Sequence, residues 1–170
     1  MGINLEAQFS LSNIQEEDLD NPLSCKAMDR AIDRTAKTSF EGLVAQCEAT
    51  GNEWCAFIHR SGPSATDISV TDPFTSNMPN DINFDPEIDR LGIDRESLLG
   101  LVHCHPNDGN LDQLGDRRGM VAISSWLRQS GVEGAENYRE YVVAESSEDP
   151  GRIEVIEMRE ERNAHCNNSE

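Results

Sequence analysis

The stretch Ser97-Leu98-Leu99-Gly100-Leu101-Val102-His103-Cys104-His105-Pro106 decides how this chain is read, together with Asp116 eleven residues beyond the second histidine. A short apolar run of this kind predicts a buried strand. Pro106 stops it, and Asn107-Asp108-Gly109-Asn110 is turn chemistry. Strand side chains alternate between faces, so His103 and His105 point one way and Cys104 the other. Downstream, Asp112 is a candidate N-cap, and Met120, Ile123, Trp126 and Leu127 recur at helical spacing. That pattern predicts a helix with Asp116 in its first turn, beside the strand end. Two neutral imidazoles and a carboxylate are the ligand set of catalytic zinc, with a water in the fourth position. Two histidines flanking one residue are weak evidence alone; the proline, the polar loop and the helix-borne aspartate make them a metal-site candidate. Cys104, facing away, is expected to be a packing residue and not a ligand.

Hydrolysis at such a site needs a base that is not a ligand. Glu53, in Asn52-Glu53-Trp54-Cys55-Ala56-Phe57-Ile58, stands at the mouth of an apolar strand. A glutamate there is commonly an exposed strand end and nothing more. Its weight comes from the combination with His103, His105 and Asp116.

That combination resembles the JAMM (MPN+) metalloprotease family, whose pattern is an upstream Glu, then His-x-His, seven residues, Ser, two residues, Asp. Here the chain reads Glu53, His103-Cys104-His105, seven residues from Pro106 to Asp112, Gln113, then Leu114-Gly115 and Asp116. The resemblance spans roughly residues 25 to 158. It implies a single-domain α/β fold of JAMM/MPN type, cytidine-deaminase-like, with a mixed sheet flanked by helices. It also implies one zinc ion held by His103, His105 and Asp116, and Glu53 as the general base. The implied substrate is an amide or isopeptide bond at the C-terminal tail of a ubiquitin-like protein. One position departs: the family's Ser is Gln113. Its amide can donate a hydrogen bond to an oxyanion, although it is longer and less pre-organised than a hydroxyl. Two other readings stand beside the peptidase, a non-catalytic scaffold of MPN type and a phage or virus tail-associated component.

Around the motif the chain organises as a segment 1–20, a domain 21–158 and a polar tail 159–170. The first holds a candidate strand at Leu5–Leu11 and the acidic Glu16-Glu17-Asp18. Asn21-Pro22 reads as an N-cap followed by proline at the first helical position. Met28, Ile32, Ala36, Phe40, Leu43 and Cys47 then mark one face of a long helix ending near Thr50-Gly51. Asp67–Thr71 alternates like a strand. Asp72 to Asp94 reads as a long loop; the resemblance implies that it helps hold the substrate's tail, and the alternative is a surface excursion packed back on the core. Residues 138–144 and 152–158 read as paired strands around a turn at Glu148–Gly151. His59 lies too far along its strand to share the metal, and His165-Cys166 is too isolated to form a site.

Composition sets limits. A chain of 170 residues can bury a core as one domain. It has no run of apolar residues long enough to span a membrane, and Met1–Glu6 lacks the features of a signal peptide. The five cysteines are scattered without a C-x-x-C pair, which predicts reduced thiols and a cytoplasmic location. A net charge of −18, with Lys26 and Lys37 the only lysines, disfavours nucleic acid and anionic membranes as partners. Oligomeric state is not legible.

Overall fold

The helix α1, Pro22–Thr50, follows from its stripe: Met28, Ile32, Ala36, Leu43 and Cys47 are all fully buried, and Phe40 nearly so. Gly51, at φ 68°, ends it, donating its N–H to the Cys47 carbonyl at 2.8 Å. This computed structural model describes residues 22–75, 84–106, 113–132 and 135–159. The expected strand at Leu5–Leu11, the caps Asn21 and Asp112, and His165-Cys166 fall outside those residues. After α1 come β1 (Trp54–Arg60), β2 (Ile68–Val70), α2 (Phe84–Leu91), β3 (Leu98–Cys104), α3 (Gln113–Gln129), β4 (Arg139–Glu145) and β5 (Ile153–Arg159).

The strands form one five-stranded mixed sheet in the order β2-β1-β3-β4-β5, so the fold is a mixed α/β domain. Only β3 and β4 run parallel; the other pairs are antiparallel. A parallel pair needs a crossover, and α3 supplies it. That connection brings the start of α3 to the end of β3, where the histidines are. Both sheet faces are covered. On one, α1 packs against Ala56, Ile58, Val102, Cys104, Tyr141 and Val143. On the other, Ile88 of α2 and Met120 and Leu127 of α3 cover Cys55, Phe57, Leu101, Val142 and Met158. Burial on both faces explains why β3 reads as a continuous apolar run. Gly100 is required there, because a Cβ would run into the Arg139 carbonyl oxygen of β4.

Four expectations need correction. The segment 72–94 is not all loop: α2 lies within it, with Ile88 buried and Leu91 packed on the same cluster. Its Asp- and Pro-rich sequence hides a helix of only two turns, closed by Gly92 at φ 66° and an Ile93 N–H to Ile88 carbonyl bond of 3.1 Å. Trp126 is not on the buried stripe of α3 but 44% exposed. The packed positions are Met120, Ser124 and Leu127, and Trp126 lies roughly a third of a turn away. The tail does not begin at Arg159, which ends β5 and pairs with Glu157 at 2.9 Å. Finally, the cysteines are not all thiols. Cys47 and Cys104 form a disulfide between α1 and β3, their Cα atoms 6.4 Å apart. Cys104 is a packing residue facing away from the histidines, as alternation predicts, but its neighbour is a second cysteine distant in sequence. The thiol argument for a cytoplasmic location thereby loses its premise. Among the described residues, no helix is long and apolar enough to cross a membrane.

Candidate metal centre

Strand register assembles the site. Trp54 pairs with Cys104 and Cys55 with His103. Glu53, just before β1, and His105, just after β3, therefore leave the sheet side by side. Glu53 is anchored through its backbone: Thr75 Oγ1 donates to its carbonyl at 2.6 Å, and Cys55 exchanges two 2.8 Å hydrogen bonds with Phe74. His105 extends the β3–β4 ladder, its N–H reaching the Val143 carbonyl at 3.3 Å. Asp116 arrives in the first turn of α3.

The side chains converge. His103 Nε2 lies 3.3 Å from Asp116 Oδ1, and His105 Nε2 lies 3.2 Å from Asp116 Oδ2. His103 Nε2 and Glu53 Oε1 are 3.9 Å apart. Ligand atoms of Glu53, His103 and His105 fall within 4.8 Å of one another, and among the described residues Asp116 is not part of that group. Two ligands on one tetrahedral zinc, each about 2.0–2.1 Å from it, stand roughly 3.3–3.4 Å apart. Each Asp116 oxygen faces one histidine at about that spacing, 3.3 Å from His103 and 3.2 Å from His105, and Glu53 lies farther from His103, at 3.9 Å.

These contacts are close without being well-formed hydrogen bonds. Both ring nitrogens of His103 and Asp116 Oδ2 are buried without a hydrogen-bond partner among the described residues. Buried orphan atoms demand an explanation, and a shared cation would supply one for His103 Nε2 and Asp116 Oδ2. Burial alone would raise the Asp116 carboxyl, but the adjoining His103 and His105 rings outweigh it and hold it well below the usual carboxylate range. Donor atoms and charge both fit a divalent metal.

Gln113 opens α3, three residues before Asp116. His59 sits at the far end of β1, opposite Leu98, with Nδ1 3.2 Å from the Arg60 carbonyl oxygen. One residue escaped the sequence reading. Glu140, on β4, is 3% exposed and accepts a 2.8 Å hydrogen bond from the Tyr138 hydroxyl. Burial pushes its carboxyl up to about 7; His103 and the Tyr138 hydrogen bond pull it down, and the charges of Asp116 and Glu53 push it up. The available signal was a carboxylate inside an apolar strand pattern, the same signal that singled out Glu53.

No protein-family model matches this chain, and no curated protein matches it closely enough in sequence to count as a relative.

Proposed function

We propose that this chain is a JAMM-type zinc metallopeptidase, cleaving amide or isopeptide bonds at the C-terminal tail of a ubiquitin-like protein. The observation that carries the reading is the meeting of Glu53, His103, His105 and Asp116 at one end of the sheet, with the Asp116 carboxylate at ligand-to-ligand distance from both histidines. His103, His105 and Asp116 would hold the ion. A bound zinc supplies Lewis acidity toward the scissile carbonyl and toward a water. Glu53 takes the proton of that water on its carboxylate and returns it to the leaving amine. His103, paired with Cys55 at the edge of the apolar cluster that also holds Phe57 and Leu101, is itself 3% exposed. The Gln113 amide would be the donor to the developing oxyanion, a role that rests on the family pattern at this position. The substrate class rests on the family resemblance.

The test joins metal analysis to turnover. Protein purified without chelator should carry about one zinc per chain, by the three-ligand logic. It should also release the tail from a panel of ubiquitin-like fusions. Zinc content unchanged in a His103→Ala, His105→Ala double variant sinks the metal assignment. Zinc bound at that site without turnover on any fusion replaces the peptidase with a scaffold or tail-component role.

A further inference from the structure

We propose that Thr50 is a positioning residue for Glu53, its hydroxyl closing the turn that carries the base. This deepens the peptidase reading and rests on it. The β1–β3 register begins with Trp54 opposite Cys104, so Glu53 stands one residue before the paired strand. It lies in Gly51-Asn52-Glu53, the whole connection between α1 and β1. A residue outside the ladder is not fixed by it, and the ends of strands open first. A catalytic group must nevertheless be held to within about 0.5 Å of its productive place. Something other than the sheet has to hold this turn.

The Thr50 hydroxyl does so. A hydroxyl has one donor and two acceptor sites, and here all of them are used. Thr50 Oγ1 donates to the Gln46 carbonyl at 2.8 Å, back into α1. It accepts the Asn52 N–H at 3.3 Å and the Trp54 Nε1–H at 2.9 Å. Those two donors flank Glu53 in sequence, so one oxygen ties the residue before the base and the residue after it to the helix end. Gly51, at φ 68°, gives the bend that returns them to it. From the neighbouring segment, Thr75 Oγ1 donates to the Glu53 carbonyl itself at 2.6 Å. The base is thus held through both neighbours and through its own carbonyl, with its carboxylate 3.9 Å from His103 Nε2. The anchor is fixed relative to the histidines as well: one turn earlier in α1, Cys47 is bonded to Cys104. The three Thr50 bonds are exposed, where a hydrogen bond adds little net stability. Their consequence is the shape of the turn.

The experiment is steady-state cleavage by the full chain of the ubiquitin-like fusion that wild type cleaves fastest. Zinc affinity, by chelator competition, and thermal unfolding are measured alongside. Thr50→Val keeps the shape and removes the hydroxyl. It should lower kcat about 10- to 100-fold with KM little changed, the scale of a misplaced catalytic group. Zinc affinity should stay at the wild-type value, because the base is not a ligand, and the Trp54 indole N–H should exchange faster with solvent in NMR spectra. Thr50→Ser, which can make all three bonds, should restore kcat. In a Glu53→Gln background Thr50→Val should slow cleavage no further, since the group it positions is gone. Equal slowing in both backgrounds means that Thr50 acts through the fold at large, and it overturns the proposal. So does folded Thr50→Val with wild-type kcat. Should Thr50→Val not fold, Trp54→Phe decides: a smaller fall in kcat supports the role, and none overturns it. Failure of the peptidase reading is seen separately, as zinc-loaded wild type cleaving no fusion, and it takes this proposal with it.

Discussion

Asp116 Oδ1 stands 3.3 Å from His103 Nε2, although one residue lies in the first turn of a helix and the other next to the end of a buried strand. The β3–α3–β4 crossover makes that contact: a helix that must bridge parallel strands starts where the first strand ends. Asp116→Asn keeps the size and removes the charge that two imidazoles now face. The expected result is a loss of zinc affinity larger than the roughly 10- to 100-fold typical of losing an outer partner. Chelator competition measures it, and unchanged affinity would give the third ligand position to Glu53.

Glu53→Gln separates the two roles from the other side. A base acts on water and not on the ion, so the variant should retain wild-type zinc content while turnover falls by about 10²-fold or more. Loss of zinc together with activity would instead make Glu53 a ligand.

How much of this was legible depends on sequence distance. His103, His105 and Asp116 lie on or beside one strand and in the first turn of the next helix in the chain, so local sequence foretells their meeting. The stripe of α1 follows from period, and β4 and β5 from two strand-forming runs set around a turn. Glu53 needed the family pattern, because the Trp54–Cys104 pairing that brings it to His105 joins strands far apart in the chain. Glu140 was missed for the same reason: only strand order places β4 beside β3. Helix α2 was hidden by its composition, and the Cys47–Cys104 bond by a separation of 57 residues. Trp126 was misplaced because an apolar residue at nearly the right helical angle reads as core until the packing partner is known.

The disulfide should be a measurable part of stability. Closing a loop with a separation of 57 residues removes unfolded-state entropy worth about 4 kcal/mol in the chain-entropy model. Denaturant unfolding with and without reductant reads the difference. Cys104 sits between the two histidines, so Cys104→Ala should also weaken zinc by loosening β3 against α1. Blocking thiols in unfolded, unreduced protein should leave Cys47 and Cys104 unlabelled; full labelling of both contradicts the bond.

Gln113 is where the chain leaves the family pattern. If its amide stabilises an oxyanion, Gln113→Ala should slow the chemical step by about 10²- to 10³-fold with little change in substrate binding. Gln113→Ser restores the family residue and is the sharper measurement. A faster Gln113→Ser enzyme means the natural chain is held at low activity. Wild type and Gln113→Ser both inactive with zinc bound favour the scaffold.

The opposite face of the sheet carries a second polar cluster, which anchors α1. Arg139, 1% exposed, donates to Asp29 of α1 and lies 3.2 Å from Asp33 and 3.7 Å from Glu157. The Tyr141 hydroxyl also donates to Asp33. Breaking such a pair from one side strands a charge in the interior, at a typical cost of about 3–5 kcal/mol. Arg139→Met should lie at the lower end, because Arg159, 3.7 Å from Asp29, remains to offset part of the charge. The double variant Arg139→Met, Asp29→Leu should recover most of the loss, since it leaves no buried charge behind. Equilibrium unfolding of the two single variants and the double variant gives the coupling. Additive losses would mean that the pair is solvated and that the apolar stripe of α1 alone holds the helix to the sheet.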